Sequence, residues 1–291
     1  MSESNLLVLV DTSYTSFYRF FATVRWYSFA YPEEYKIYKI DNTYDWSKNN
    51  IFIEKYEKMY LDSIIKLIGK KKYKNSKIIF CMDSPKEDLW RIQIQCNYKG
   101  DRIDLSKKYN FKTTFNYTYE TIIPSLIKSL PNISSIRVEK IEADDVIAII
   151  CMHLKDISST REILLISGDE DFLQLGRYEI TFINYKSKKP KIISEEEALL
   201  SLTTKIILGD SSDCIPSIFP KGIKISSIKK KELIESNNSL TQLLESNQEI
   251  KKQYLINQKM IDFKNIPKIY YNKVVKIFNT SHTLQDNIAH P

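Results

Sequence analysis

Residues 162–175 read EILLISGDEDFLQL. A short apolar run from Ile163 to Ile166 passes through Ser167 and Gly168 directly into two aspartates, Asp169 and Asp171. An unbroken apolar run of this length suits a strand buried on both faces, and acids that follow it stand at the strand's carboxyl end. The same pattern recurs along the chain. LLVLV at 6–10 runs into Asp11, KIIFCM at 77–82 into Asp83, and the run around Val138 into Glu142, Asp144 and Asp145. Strands are therefore predicted at 6–10, 77–82, 136–139, 162–167 and 179–184. Helical periodicity fills the intervals at 14–29, 51–70, 119–130, 144–154 and 195–208. Strands separated by helices predict an α/β fold with a mainly parallel central sheet flanked by helices, because a parallel connection must cross over the sheet.

Beyond Gly209 the chain turns rich in Lys, Ser, Asn and Gln with helical spacing and no clear strand. This divides it into an α/β core over 1–208 and a smaller helical module over 209–291. The segment 97–116 is polar, basic and aperiodic where a compact α/β domain would use a short loop, which marks it as a functional insertion. With 291 residues, 43% of them hydrophobic and 27% charged, the chain has ample material for a globular core. No stretch approaches the roughly 18 apolar residues of a membrane span, and no basic region precedes the first apolar run, so neither insertion nor secretion is expected. Cys81, Cys96, Cys151 and Cys214 are too scattered for a zinc knuckle or a disulfide framework and read as reduced thiols of a cytoplasmic protein. The formal net charge of +7 suggests a polyanionic partner. Its distribution is more telling: lysines cluster at 70–74, 186–191 and 221–231, away from the acids.

In open α/β sheets ligands bind outside the carboxyl ends of parallel strands. Asp11, Asp83, Glu142, Asp144, Asp145, Asp169 and Asp171 occupy such ends, and Asp210 and Asp213 follow the helix ending KIILG at 205–209. Any one of them is accounted for as a helix cap. Four strand ends in succession are not, since like charges in one cleft repel unless cations neutralise them. Oxygen ligands without a His or Cys constellation select a hard ion such as Mg²⁺ or Mn²⁺. His153, His282 and His290 are too dispersed for a zinc site or a Ser-His-Asp triad. Two such ions about 4 Å apart would suit phosphodiester hydrolysis. Tyr98-Lys99-Gly100-Asp101-Arg102 supplies the opposite charge. If helical, it puts Lys99 and Arg102 on one face, aimed at a phosphate, while Tyr98 offers a ring to a base. Arg91 is within reach of the same region, and Trp90 reads as core packing.

Taken in order, Asp11, Asp83, Arg91, YKGDR at 98–102, IEADD at 141–145, SGDEDFLQL at 167–175 and GDSSDCIP at 209–216 resemble the flap endonuclease and 5′-3′ exonuclease family, nearest the phage T4-type ribonuclease H branch. MIDFKNIP at 260–267 is similar to the C-terminal part of that branch, so the resemblance spans about residues 5–278. It implies a PIN-like nuclease core with a helical arch at about 97–130 and a helix-hairpin-helix-like C-terminal module. It also implies a first metal held by Asp11, Asp83, Glu142, Asp144 and Asp169. Asp171, Asp210 and Asp213 would hold a second, with Asp145 an outer ligand or a helix-start residue. Lys99 and Arg102 would steer phosphate at the arch base, and Arg19 would be a further phosphate contact. Only Gly222 remains of the glycines with which many relatives grip duplex backbone beside a potassium ion, so that grip is not carried over. Lys221 and Lys224 are retained as candidate phosphate contacts.

The expected protein is a monomeric 5′-3′ exonuclease and flap endonuclease with ribonuclease H activity, dependent on two Mg²⁺ with Mn²⁺ able to substitute. Its partners would be DNA or RNA·DNA duplexes carrying a 5′ single strand or flap, and a single-stranded DNA-binding protein or replicative polymerase. Its role would be the removal of RNA primers and flaps in replication, and abundant Lys, Ile and Asn against few Arg suggest a phage or viral genome. Three other readings compete: a PIN-like ribonuclease on single-stranded RNA, a non-catalytic nucleic-acid-binding relative, and a Mg²⁺-dependent phosphatase. The helical module beyond 209 weighs against the first and the full acid set against the second. Against the third, VDTSY at 10–14 lacks the paired acids of a phosphoaspartate mechanism.

Overall fold

The computed structural model describes residues 6–40, 44–100, 109–220, 222 and 225–286. β1 (Leu6–Asp11) lies at the centre of a six-stranded sheet, in parallel register with β2 (Ser76–Met82) on one side and β4 (Glu162–Ile166) on the other. β3 (Ile133–Arg137) extends the sheet beyond β2, and β5 (Thr181–Ile183) extends it beyond β4, both in parallel. A two-residue antiparallel strand, β6 (Lys191–Ile192), closes that edge. The mainly parallel sheet predicted from the sequence is thus observed. Two strands differ in extent. β3 begins at Ile133, because Ile78 N donates to Asn132 O and starts the ladder three residues earlier than expected. β5 starts only after Glu179, whose left-handed backbone (φ 60°) breaks extended geometry.

The helices before β4 are α1 (Thr12–Ala30), α2 (Pro32–Ile40), α3 (Asn50–Ile68), α4 (Lys70–Lys74), α5 (Lys112–Tyr117), α6 (Ile123–Ser129) and α7 (Ala143–Asp156). After the sheet come α8 (Glu195–Leu208), α9 (Ser227–Glu235), α10 (Asn237–Ser246), α11 (Gln248–Ile261) and α12 (Lys268–Asp286). Their boundaries follow local chemistry. Asn49 accepts from Phe52 N at 2.9 Å to start α3, which ends at Gly69 with φ +90°.

Alternation along the strands assigns each helix to a face. Leu7, Leu9, Ile79, Cys81, Ile163 and Leu165 pack in one cluster with Val146, Ile147 and Ile150 of α7 and with Val274 and Phe278 of α12. Val8, Val10, Ile78, Phe80, Leu164 and Ile166 pack in the other with Phe20 and Tyr27 of α1 and with Phe52, Tyr56 and Tyr60 of α3. Burying each of these large side chains contributes roughly 1.5 to 3 kcal/mol, so both faces are driven by the apolar runs that identified the strands. Within this aromatic layer the Tyr56 and Thr118 hydroxyls are 2.8 Å apart, and those of Tyr60 and Ser16 3.0 Å.

Packing crosses two of the expected boundaries. The arch was expected across 97–130, but Phe111 and Phe115 sit against Phe17 and Phe20 of α1, and a π-helical run at Thr118–Ile122 joins α5 to α6 as part of the second cluster. What remains of that expectation falls largely on 101–108, outside the described residues. Nor is everything after 209 a separate module. Leu233, Leu240 and Ile250 do form a small cluster with Ile207 and Ile218, yet Phe263, Val274 and Phe278 belong to the main core. Among the described residues no helix is long and apolar enough to cross a membrane.

Candidate active site

The carboxyl ends of β1, β2 and β4 and the start of α7 open onto one cleft of about 420 Å³, lined by Asp11, Asp83, Glu142, Asp144, Asp169 and Lys99. A smaller chamber of about 20 Å³ adjoins it, lined by Glu142, Asp144, Asp171, Asp210 and Asp213 with Arg91 and Tyr98. Glu142 and Asp144 border both. The eight acids on these two walls all come from the set singled out in the sequence.

Each acid is aimed by its local structure. Asp11 ends β1 and caps α1, accepting from Tyr14 N at 3.0 Å and from the Ser167 hydroxyl at 2.8 Å. Asp83 leaves β2 and accepts from Ala143 N at 2.8 Å and from the Ser13 hydroxyl, which also stands 3.0 Å from the Tyr119 hydroxyl on the π-helical run. Gly168 lets the chain after β4 press against Tyr14, where a Cβ would come within 2.6 Å of the ring. Asp169 then accepts from Asp171 N at 2.8 Å. Gly209, at φ +77° and against the Ile215 carbonyl, turns the end of α8 so that Asp210 bridges to Ile215.

Electrostatics divides the site. Burial, then repulsion from Asp83, pushes Asp11 up to about 7. Burial also raises Asp83, and burial followed by Asp169 and Asp11 raises Asp144 well above the usual carboxylate range. Glu142 behaves oppositely. Burial disfavours its anion, but Lys99 and Arg91 outweigh that and hold it below the ordinary value. Asp210 is likewise held low against burial by Ser212 and Lys205. The anionic form is therefore disfavoured at Asp11, Asp83 and Asp144 and favoured at Glu142 and Asp210.

These oxygens fit a hard divalent cation by chemistry, with Asp11, Asp83, Glu142, Asp144 and Asp169 able to hold one and Asp171, Asp210 and Asp213 a second. Among the described residues, however, no three acidic, His or Cys side chains close on one ion-sized point. Ammonium groups stand between the acids instead: Lys99 pairs with Glu142 and lies 3.8 Å from Asp213, while Lys205 pairs with Asp171 and lies 3.1 Å from Asp210.

Several expectations are corrected. Asp145 is no ligand: it is fully buried, both oxygens are taken by the Arg91 guanidinium at 2.7 and 2.8 Å, and one also accepts from Trp90 Nε1 at 3.1 Å. Its place is the helix start, in a reciprocal cap with Glu142. Arg91, 4% exposed, faces inward to Asp145, Glu142 and the Met260 carbonyl of α11, so it is not placed to meet nucleic acid. Tyr98, also 4% exposed, offers no ring to a base; its hydroxyl donates to Glu142 at 2.9 Å and Asp213 at 3.0 Å. Lys99 is not helical but sits in a turn with φ 56°, and Lys99 N donates to the Asp213 carbonyl at 3.0 Å. Arg19 lies outside the acid cleft, buried between α1 and α3. Arg102, Lys221 and Lys224 lie outside the described residues. Ser13, Ser167, Tyr119 and Lys205 were not singled out from the sequence. The one available signal was position: Ser13 lies two residues past Asp11, and Lys205 a turn and a half before Asp210.

A parallel sheet thus delivers acids from successive strand ends into one cleft, with lysines facing them. The chain belongs to the 5′-3′ exonuclease family: the model of the 5′-3′ exonuclease N-terminal resolvase-like domain matches residues 6–202. Among curated proteins it is similar to the ribonuclease H of Enterobacteria phage T4, 28% identical over 220 residues that make up 70% of each chain. The 5′-3′ exonuclease of Buchnera aphidicola subsp. Schizaphis graminum is 30% identical over 168 residues, 55% of this chain and 54% of that one. Among solved structures, phage T5 5′-exonuclease with bound zinc ions superposes with a TM-score of 0.61 at 17% identity, covering 93% of this chain and 97% of the other. The phage T5 flap endonuclease in a pseudo-enzyme-product complex with DNA and metal ions superposes with a TM-score of 0.58 at 15% identity, covering 95% and 98%.

Proposed function

We propose that this nuclease is a divalent-metal-dependent, structure-specific 5′ nuclease that removes RNA primers and 5′ flaps from DNA or RNA·DNA duplexes during replication, acting as a phage- or virus-encoded enzyme in the host cytoplasm. The observation that carries the reading is the pair of acid-lined cavities sharing Glu142 and Asp144, which supports a site for two adjacent cations. The T5 relatives of the same fold that bind metal ions and DNA support it.

Asp11, Asp83, Glu142, Asp144 and Asp169 would hold the first cation, and Asp171, Asp210 and Asp213 the second. When bound, Mg²⁺ or Mn²⁺ supplies an activated water and neutralises charge on the attacking and leaving oxygens. The chain's own groups prepare that site. Ser13, Ser167 and the Ala143 amide fix the orientation of Asp83 and Asp11. Lys99 and Arg91 hold Glu142 as an anion, and Tyr98 ties it to Asp213. Lys99, which lines the cleft beside Glu142, would donate to a non-bridging phosphoryl oxygen. The test is cleavage of 5′-labelled and 3′-labelled flap, nicked and RNA-primed duplexes with Mg²⁺ or EDTA. Metal-dependent products released from the 5′ end are expected; cleavage in EDTA, or products shortened from the 3′ end, would overturn the proposal.

A further inference from the structure

Residues 260–263, at the end of α11, are pinned by side chains rooted beside the acids. Arg91 Nε donates to the Met260 carbonyl at 2.9 Å while its Nη groups grip Asp145 and Glu142. Arg177 pairs with Asp262 at 3.0 Å. Gln174 is buried and uses both ends of its amide. Its Nε2 donates to the Ile261 carbonyl at 3.1 Å and to the Asp171 carbonyl at 3.2 Å, and its Oε1 accepts from Phe263 N at 3.1 Å. A buried amide satisfied at three points is costly to displace, because each freed partner would be left without a bond. The same four residues close the smaller acid chamber. Asp171, Asp210 and Asp213 supply acids to it, while Ile215, Met260, Ile261 and Phe263 give it an apolar wall. At about 20 Å³ it admits about one water-sized body.

We infer that Gln174 is a positioning residue for the second cation: it fastens the Asp171 backbone to the strap 260–263, and that strap supplies the dry wall of the chamber. Asp171 needs such support. It stands in the 3₁₀ run Glu170–Tyr178, whose 9 residues exceed what this geometry usually sustains unaided. Asp171 N donates to Asp169 on one side and Gln174 takes the Asp171 carbonyl on the other, so the direction of the Asp171 carboxylate is set by both. Phe172, the next residue, packs its ring 6.3 Å from that of Phe263. An apolar wall strengthens the attraction between acid and cation by keeping water out of the chamber. Gln174 touches neither cation nor substrate; it acts through Asp171. Loss of an outer partner of this kind lowers metal affinity by about 10- to 100-fold. The inference rests on the proposed two-cation reading and extends the second site from its acids to α11.

Titration with Mn²⁺, followed by the electron paramagnetic resonance of the free ion, counts bound cations without turnover. Wild type should bind two, and Asp210→Asn should identify the second by weakening it alone. Gln174→Met, of similar volume but unable to make these bonds, should weaken that same cation by about tenfold or more and leave the first within about twofold. Added to Asp210→Asn it should cost little more, because both changes act on one site. Phe52→Leu, in the cluster on the other face of the sheet, should lower Tm without moving either affinity, which separates positioning from general stability. Should Gln174→Met fail to fold, Asp262→Asn takes its place: it keeps an oxygen for Lys264 N, breaks the ion pair with Arg177 and should weaken the second cation selectively. Fewer than two Mn²⁺ in wild type would refute the two-cation reading and this inference with it. Two in wild type, with second-site affinity unchanged in the strap variant, equal losses at both sites, or a matching loss in Phe52→Leu, would overturn the inference alone.

Discussion

Asp11→Asn separates activity from stability, because the acid cleft is predicted to work against folding when no cation is present. Asp11 is buried, and burial followed by repulsion from Asp83 moves its carboxyl from 3.8 to about 7. A folded-state value above the unfolded one means that folding penalises the anion. The penalty is absent below the unfolded value, grows as pH rises, and is complete once pH passes the folded value near 7. At about 1.4 kcal/mol per pH unit, that span corresponds to about 4 kcal/mol. Asparagine keeps the cap on Tyr14 N with little loss, so the expected net gain for the metal-free variant is about 3 kcal/mol near pH 8 and close to zero near pH 4. Urea unfolding in EDTA at the two pH values, followed by tryptophan fluorescence, reads this directly. Adding Mg²⁺ should stabilise wild type more than the variant, while cleavage by the variant falls by about a hundredfold or more. A variant less stable than wild type near pH 8, or equally stabilised at both pH values, would refute the claim that uncompensated negative charge sits at Asp11.

Three further outcomes follow from the same geometry. Asp169→Asn should abolish cleavage while leaving binding of a flap duplex measurable by gel shift; undiminished turnover would remove Asp169 from the chemistry. Lys99→Ala should lower kcat by about tenfold to a hundredfold with a much smaller change in duplex affinity, and equal losses would make Lys99 a binding residue alone. Asp145→Asn strips the Arg91 guanidinium of its bidentate partner inside the core, so chemical denaturation should show a loss of about 3 kcal/mol or more. A neutral effect would mean that Glu142 and the Met260 carbonyl suffice to hold Arg91.

Strand ends were legible in the sequence because their signal is local. An apolar run of five or six residues followed by an acid announces both a buried parallel strand and the place where its functional group stands, and Asp11, Asp83 and Asp169 needed nothing more. Residue type alone likewise set the expectation for the acid set, an oxygen-only site suited to a hard cation. The roles of Asp145, Arg91 and Tyr98 were not readable. From the chain, Asp145 looks like one more acid in a motif and Tyr98 like one more ring in a basic loop.

Burial separates them, and burial is a property of the assembled molecule. Arg91 turns inward because the Met260 carbonyl, 169 residues away, closes over its guanidinium. Tyr98 is lost to nucleic acid because Glu142 and Asp213, 44 and 115 residues further along the chain, converge on its hydroxyl. Lys205 meets Asp171 across 34 residues. Local patterning thus determined which residues carry charge to the sheet's carboxyl edge. Long-range packing decided which of those charges remain exposed to a substrate and which are consumed in holding the others still.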